Sequence, residues 1–345
     1  LKARGKSIAK RRRRDLTKPA TSWVAPARID EKIGKAISIV LSTIGCAHAR
    51  DTKGGCTMCS YLLDGTPESP TSEELIQQFQ YAMNTIEDES EPLSVKIYTS
   101  GSFLDSDEIP SEVRTELYSI LSKDSRVKQV VLESRPEYVT DAALREINTS
   151  LGSKKVELGI GFESSSNLIR LICINKGFKT QDFQEAVQRA SKYNINVRAY
   201  VLLKPPFLTE RDSLLDSIRT IKDLDEFGVS TISINPVTIQ KNTLVERLWQ
   251  KRKYRPPWLW TVVDVLKQAR ASIGRKTAIL CDPVAAGKIR GAHNCGKCDI
   301  SCISAIRDFS LNQDVGVFSD LHCDCHNQWQ HVLIHEDASL NVHYE

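Results

Sequence analysis

No apolar run in this 345-residue chain reaches the ~18–20 positions that a helix needs to cross a bilayer, so no membrane span is expected. The N-terminus is basic but lacks the apolar core of a signal peptide, and a cytoplasmic location is expected. An initiator Met is also missing, since the chain begins at Leu1, and a few residues or a tag are expected ahead of it. There is no internal repeat, and no low-complexity tract beyond a basic arm, which argues against a repeat array. What is present is the balance of a soluble globular protein, with 41% hydrophobic and 26% charged residues. The length suits one large barrel-type domain with a small appendage, or two ordinary domains.

A large charge imbalance is absent too, for the net charge is only +4. Its distribution is uneven. Residues 1–20 carry nine Lys or Arg against the single acid Asp15, a local charge of +8 that leaves −4 for the remainder. A basic arm on a mildly acidic body suggests local contact with a polyanion. Residues 1–30 read as this arm, largely disordered and ending at Pro19 and Pro26.

Beyond the arm, short apolar runs alternate with amphipathic segments. Residues 36–41, 94–98, 129–133, 156–161, 196–203 and 231–235 read as six strands. Thr71 and Glu74 form a capping-box signature ahead of a helical pattern, and 110–121, 140–150, 180–193 and 209–227 are similar. Alternation of this kind predicts parallel strands with helical crossovers. Six units are too few for a closed eight-fold barrel, so the expected class is α/β, a partial (β/α)6 barrel over 31–241. Functional residues should gather at the C-terminal ends of its strands. Residues 242–345 form a C-terminal extension in which 258–273 reads as a helix and 276–280 as a further strand.

Ten cysteines would suit a disulfide framework in a small secreted chain, but this length and expected compartment favour metal ligation. Cys173 stands alone in an apolar stretch and reads as an inert buried thiol. Cys46, Cys56 and Cys59 lie in one loop after the first strand, with nine residues in the first gap and two in the second. Three thiolates can hold three irons of a 4Fe–4S cubane and leave the fourth iron open to a small ligand. A zinc loop completed by His48 is the plainer alternative, although structural zinc usually takes tighter paired hairpins. Near the C-terminus, Cys295 and Cys298 followed by Cys323 and Cys325 can wrap one tetrahedral ion. Zinc suits such a thiolate set, a second iron–sulfur cluster is the competitor, and Cys281 is a substitute ligand. His293 reads as local scaffolding.

The three-cysteine loop, ending Cys56-Thr57-Met58-Cys59 with Tyr61 beyond, resembles the radical S-adenosyl-L-methionine (SAM) superfamily. Its long first gap resembles the branch that contains the elongator catalytic subunit. KIYTSGSFLD (96–105), VLESRPEYV (131–139), VELGIGFES (156–164), LLKPPFLTE (202–210) and GAHNCGKCD (291–299) are similar to the family of radical SAM subunits of archaeosine synthase. The resemblance runs from about residue 20 to 330. It implies that Cys46, Cys56 and Cys59 hold the cluster, with Met58 and Tyr61 beside them. Ser100, Gly101 and Ser102 occupy the place where the family receives the methionyl amine of SAM. Glu133 and Glu163 become candidates for the SAM ribose or the substrate, and Arg135, Arg198 and Lys204 for the SAM carboxylate. The implied substrate is tRNA bearing a lysine-substituted 7-cyano-7-deazaguanine. The implied reaction is radical scission of the lysine carbon–nitrogen bond, leaving archaeosine, with a lysine-transferring subunit as partner and an electron donor that the sequence does not identify.

An RNA substrate agrees with three features of the sequence. They are the arm (Lys10, Arg11, Arg12, Arg13, Arg14), a stretch 241–255 in which Lys251, Arg252 and Lys253 stand among Trp249 and Tyr254, and the cations Lys288, Arg290 and Lys297 near the second cysteine group. A tRNA methylthiotransferase would need three further cysteines ahead of the radical core, and residues 1–45 contain none. An elongator-type enzyme would need an acetyltransferase domain, which the 20 residues after Cys325 cannot supply. A zinc-containing RNA-binding protein without catalysis is the alternative from another class. Deleting residues 1–18 is expected to weaken tRNA binding and flatten its dependence on salt, measured by filter binding across ionic strengths.

Overall fold

The computed structural model describes residues 15–29, 32–52, 54–63, 65–86 and 92–336. Lys10 and Arg11–Arg14 of the arm lie outside the described residues. In chain order the first elements are β1 (Thr21–Ile29), β2 (Lys32–Val40), the single turn α1 (Ala47–Arg50) and α2 (Ser72–Met83). Next come β3 (Leu93–Tyr98), α3 (Ser111–Lys123), β4 (Val127–Ser134), α4 (Asp141–Leu151), β5 (Lys155–Glu163) and α5 (Thr180–Ser191). They are followed by β6 (Asn196–Leu203), α6 (Glu210–Glu226), β7 (Thr231–Pro236), α7 (Leu244–Gln250) and α8 (Leu259–Ser272). The last are β8 (Ala278–Leu280), α9 (Asp299–Asn312) and α10 (Cys325–His335).

Hydrogen-bonded strand order follows the chain from β1 to β8. β2, β3, β4 and β5 pair in parallel, as do β7 and β8. Parallel neighbours require a crossover, and α2, α3 and α4 each provide one. The six strands expected from sequence correspond to β2–β7. Their apolar residues are buried in near-continuous runs, such as Val130–Val131–Leu132, because helices and strands cover both faces.

Residues 21–29, expected within the disordered arm, instead form β1, antiparallel to β2 in a register from Thr21↔Val40 to Ile29↔Lys32. An edge strand tolerates Pro26 because one side of its backbone needs no ladder partner. Only Ala27 and Ile29 of β1 are buried, so the segment lacks the apolar alternation that reveals a strand. Trp23 instead stacks on Tyr98 of β3, with ring centroids 6.5 Å apart and planes 7° from parallel.

Two compact units divide the chain. One comprises Leu1–Gly55, Ser60–Gly161 and Gln181–Arg198; the other comprises Cys56–Cys59, Phe162–Thr180 and Ala199–Glu345. In the first, Ile37, Ile39, Val95, Ile97 and Leu132 of the strands and Phe79, Leu117 and Leu144 of the helices are fully buried. In the second, α6 packs on α8, α8 on α9, and α10 on α6. Among the described residues no helix is long and apolar enough to cross a membrane.

The capping box is present at the start of α2. Thr71 Oγ1 accepts from Glu74 N (3.2 Å), and Glu74 Oε2 accepts from Thr71 N (2.8 Å). Thr71→Ala is expected to lower stability by about 1 kcal/mol, read as a lower urea midpoint with an unchanged slope.

Candidate cluster loop and cysteine metal centre

In the first unit, β2 runs directly into the loop that bears Cys46. Leu41 N donates to Tyr98 O (2.9 Å), and the buried Gln78 of α2 clasps Ser42 by accepting from its N–H (2.7 Å). Gly45 then turns the chain in the left-handed region (φ 87°), and Cys46 opens α1, its carbonyl accepting from Ala49 N and Arg50 N (both 3.0 Å). Here the main chain of Cys46 meets the turn after β3. A Cβ on Gly101 would stand 2.6 Å from Cys46 Cα and 2.9 Å from Cys46 N, closer than any side chain permits. Ser102 continues the turn toward β4, accepting from Arg135 N at 3.2 Å, while Phe103 N donates to Glu133 O at 2.8 Å. Cys46 therefore lies against Ser100–Gly101–Ser102, the segment singled out in the sequence, and the end of β4 is tied to the same turn.

Cys56–Cys59 belongs to the second unit. Thr57 anchors it: its N–H donates to Ile174 O (2.9 Å), its hydroxyl to Cys173 O (2.7 Å), and its carbonyl accepts from Leu244 N (3.0 Å). Cys59 N donates to Cys56 O (3.4 Å), so both cysteines sit on one turn. Cys56 and Met58 pack against a core of Ile174, Leu202, Val237, Ile239 and Val245. Met58 is thus a hydrophobic anchor beneath the loop, whereas Tyr61, in the first unit, is 52% exposed. Cys46, Cys56 and Cys59 are all half-buried, and no disulfide forms among the described residues.

The candidate charged residues divide by how tightly each is already paired. Lys204, just past β6 in the left-handed region (φ 63°), is buried; its Nζ lies 2.6 Å from Glu210 Oε2 and 3.3 Å from Glu336 Oε1. Arg198 is buried against Glu157, at 2.6 Å. Arg135 pairs at 2.5 Å with Glu137, which is 44% exposed. Glu163 ends β5 at φ 67° and accepts from Lys176 Nζ at 2.6 Å. Two side-chain-bearing residues in the left-handed region at successive strand ends are a local strain of the kind found at functional rims.

The second cysteine group assembles as expected. The sulfurs of Cys295, Cys298, Cys323 and Cys325 all lie within 4.8 Å of one another, with Cys295–Cys323 at 3.7 Å and Cys298–Cys325 at 3.6 Å. A tetrahedral ion with metal–sulfur bonds of about 2.3 Å needs sulfur–sulfur edges of about 3.8 Å. In a cubane each thiolate sits on a different iron, which spreads the sulfurs more widely. The set therefore matches a single four-coordinate ion. Cys298 and Cys325 lie at the N-terminal ends of α9 and α10, where helix dipoles favour thiolate. Gly296 makes the knuckle between Cys295 and Cys298 at φ 90°.

Two side chains invisible to spacing arguments support these sulfurs. Trp260 Nε1 donates to Cys325 Sγ (3.2 Å), and Asn294 Nδ2 donates to Cys298 Sγ (3.3 Å) and Cys302 Sγ (3.6 Å). Burial pushes the Cys298 thiol up to about 12. Burial works the same way at Cys295, yet the N–H groups of Lys297 and Cys298 and the neighbouring thiols bring it down to about 7. Cys281 stands apart from the four, buried beside Ser310 of α9. His293 Nδ1 is engaged with Gly291 O (2.8 Å).

In the basic stretch 241–255, Lys241, Arg247, Lys251 and Arg252 are exposed and Lys253 is half-buried. Its aromatics are spent on packing: Trp249 and Tyr254 lie on the core named above, and Trp258 and Trp260 are buried. The exposed face of this stretch offers cations rather than stacking platforms.

Cys298→Ser is expected to abolish stoichiometric metal binding and to destabilise the extension by several kcal/mol, measured by elemental analysis and thermal unfolding. Cys281→Ser is expected to leave the metal content unchanged.

No protein-family model matches the chain. It is 41% identical over 324 residues to archaeosine synthase subunit beta of Methanosarcina acetivorans, covering 94% of this chain and 92% of that protein. It is 38% identical over 314 residues to the subunit of the same name from Thermococcus kodakarensis, covering 91% and 96%. Archaeal Elp3 from Methanocaldococcus infernus superposes on 63% of this chain and 54% of its own, with a TM-score of 0.50 at 15% identity. That likeness shows the fold, the α/β class expected from the βα alternation. With relatives at this identity matched over nearly their full length, the chain belongs to the archaeosine synthase subunit beta family.

Proposed function

We propose that this chain is the radical SAM subunit that completes archaeosine in tRNA, cleaving the lysine carbon–nitrogen bond of a lysine-modified 7-cyano-7-deazaguanine nucleotide. The observation that carries the reading is the approach of the Cys46 main chain to Gly101, which brings a cysteine of the three-thiol set against a small, backbone-rich turn. Cys46, Cys56 and Cys59 would hold a 4Fe–4S cluster, and Ser100–Ser102 would receive the SAM amine. When bound, the cluster and SAM supply the electron and the 5′-deoxyadenosyl radical that removes a substrate hydrogen.

The protein's own groups divide the remaining work. Arg135, whose partner Glu137 is 44% exposed, would be the cation that meets the SAM carboxylate. Lys204, just past the end of β6, and Arg198, which pairs with Glu157 near the starts of β6 and β5, are both held by buried carboxylates, and separating such pairs is costly, so they act as structural supports. Glu133 and Glu163 would face the ribose or the substrate from the ends of β4 and β5. Four thiolates at Cys295, Cys298, Cys323 and Cys325 suit zinc, which would fold the extension. Exposed Lys251 and Arg252 would meet tRNA phosphates together with the arm. The natural partner is the subunit that transfers lysine to the tRNA, and a cytoplasmic location accords with that substrate.

Anaerobic protein reconstituted with iron and sulfide is expected to turn brown and, with SAM, a reductant and lysine-modified tRNA, to yield archaeosine by nucleoside mass spectrometry. Cys56→Ala is expected to lose cluster and product together. A colourless protein, or product formation unaffected by Cys56→Ala, would overturn the reading.

A further inference from the structure

Glu108 lies outside every motif considered so far, yet it is 3% exposed and sits between the two loops on which the proposed function rests. Its Oε1 accepts from Thr43 Oγ1 at 2.5 Å, three residues before Cys46. Its Oε2 accepts from Ser102 N at 2.6 Å, and the Thr99 hydroxyl is a further hydrogen-bond partner. Thr43 is itself built into the loop, since its hydroxyl oxygen accepts from Gly45 N at 3.2 Å. Thr99 likewise accepts from Gly101 N at 3.1 Å. One carboxylate therefore joins the segment Thr43–Gly45–Cys46 to the segment Thr99–Gly101–Ser102. An ideal Cβ on Gly101 would also stand 2.2 Å from Glu108 Oε2, so the carboxylate and Cys46 together occupy the space that glycine leaves.

The hydrogen-bond pattern specifies an acceptor. Burial raises the carboxyl above its ordinary value, while the bonds from Thr43, Ser102 and Thr99 pull the other way. Glu108 is held by its own turn, with Glu108 N donating to Asp105 O at 3.0 Å and Ile109 N to the same carbonyl at 2.8 Å. A purely apolar filler of this cavity would leave Ser102 N and Thr43 Oγ1 buried without their partner, at a cost that favours moving one loop off the other. Gln78 secures the Ser42 side of the cluster loop, but among the described hydrogen bonds only Glu108 spans to the turn after β3.

We propose that Glu108 is a positioning residue that fixes the register between the first cluster cysteine, Cys46, and the Ser100–Ser102 turn that receives SAM. This rests on the cluster and SAM roles proposed above. It predicts that the carboxylate controls how SAM engages the cluster rather than whether the chain folds. Gln can keep the link by accepting from Ser102 N and donating to Thr43 Oγ1, whereas Ala cannot.

The test uses full-length protein, reconstituted anaerobically with iron and sulfide, as wild type, Glu108→Gln, Glu108→Ala and Thr43→Val. Iron content, thermal midpoint and the electron paramagnetic resonance spectrum of the reduced cluster are recorded while SAM is titrated. Wild type should show a spectral change on SAM addition. Glu108→Ala should need about tenfold more SAM or more, the scale of a lost charged hydrogen bond, with Glu108→Gln within about threefold of wild type. Iron loss in Glu108→Ala that Glu108→Gln restores also supports the proposal, since it reports on Cys46. If Glu108→Ala does not fold, Thr43→Val carries the comparison. A folded Glu108→Ala or, where that does not fold, a Thr43→Val protein with wild-type iron and a wild-type SAM titration overturns the role of Glu108. A wild type without a SAM-responsive cluster overturns the underlying reading instead.

Discussion

The packing of one main chain against another, Cys46 against Gly101, is the constraint on which the described site depends. A glycine there is a matter of volume: the nearest Cys46 atom lies 2.6 Å from where a side chain would begin. β2 and β3 are parallel neighbours, so their C-terminal ends emerge side by side, and the loops that follow must either diverge or pack backbone to backbone. They pack. The absence of a side chain at Gly101 allows it, and the hydrogen bonds of Ser102, Thr43 and Glu108 hold the result. A glycine in the middle of a short polar turn then has a specific meaning, the close approach of another strand's loop.

The buried charged residues follow a different logic. Lys204 and Arg198 sit in surroundings from which water is largely excluded, and each has a carboxylate within 2.6 Å. Those pairs satisfy groups that the fold has already desolvated. Glu336, at the end of α10, contributes to one of them and also accepts from Glu210 N at 2.5 Å, the first residue of α6. The helix that carries Cys325 therefore reaches, eleven residues on, the same buried network that orders the end of β6. Within the second unit, the cysteine centre and the Lys204 strand end are parts of one hydrogen-bonded frame.

At the cysteine centre a bound metal and the helices would depend on each other. Buried thiols resist ionisation, as the raised value at Cys298 shows, and the cost falls only if a cation takes the charge. Trp260 and Asn294 lower that cost further by donating hydrogen bonds to sulfur.

The sequence by itself determined the βα alternation, the two cysteine groups and the cap of α2, because each is a local pattern: an apolar period, a ligand spacing or a reciprocal hydrogen bond three residues apart. It also marked Ser100–Ser102 and the strand-end charges as positions of interest. It did not reveal β1, whose residues are mostly exposed and earn their place through backbone pairing with β2 and the stacking of Trp23 on Tyr98. Nor did it show that Trp249 and Tyr254 serve the core while their cationic neighbours face outward. Glu108, Gln78, Asn294 and Trp260 were silent for the same reason. Each acts on partners that are distant along the chain, 65 residues away for Glu108 and Thr43. Burial and hydrogen-bond satisfaction across such separations arise only when strands and loops are brought together. Tertiary structure alone decided which polar residues hold the loops in place.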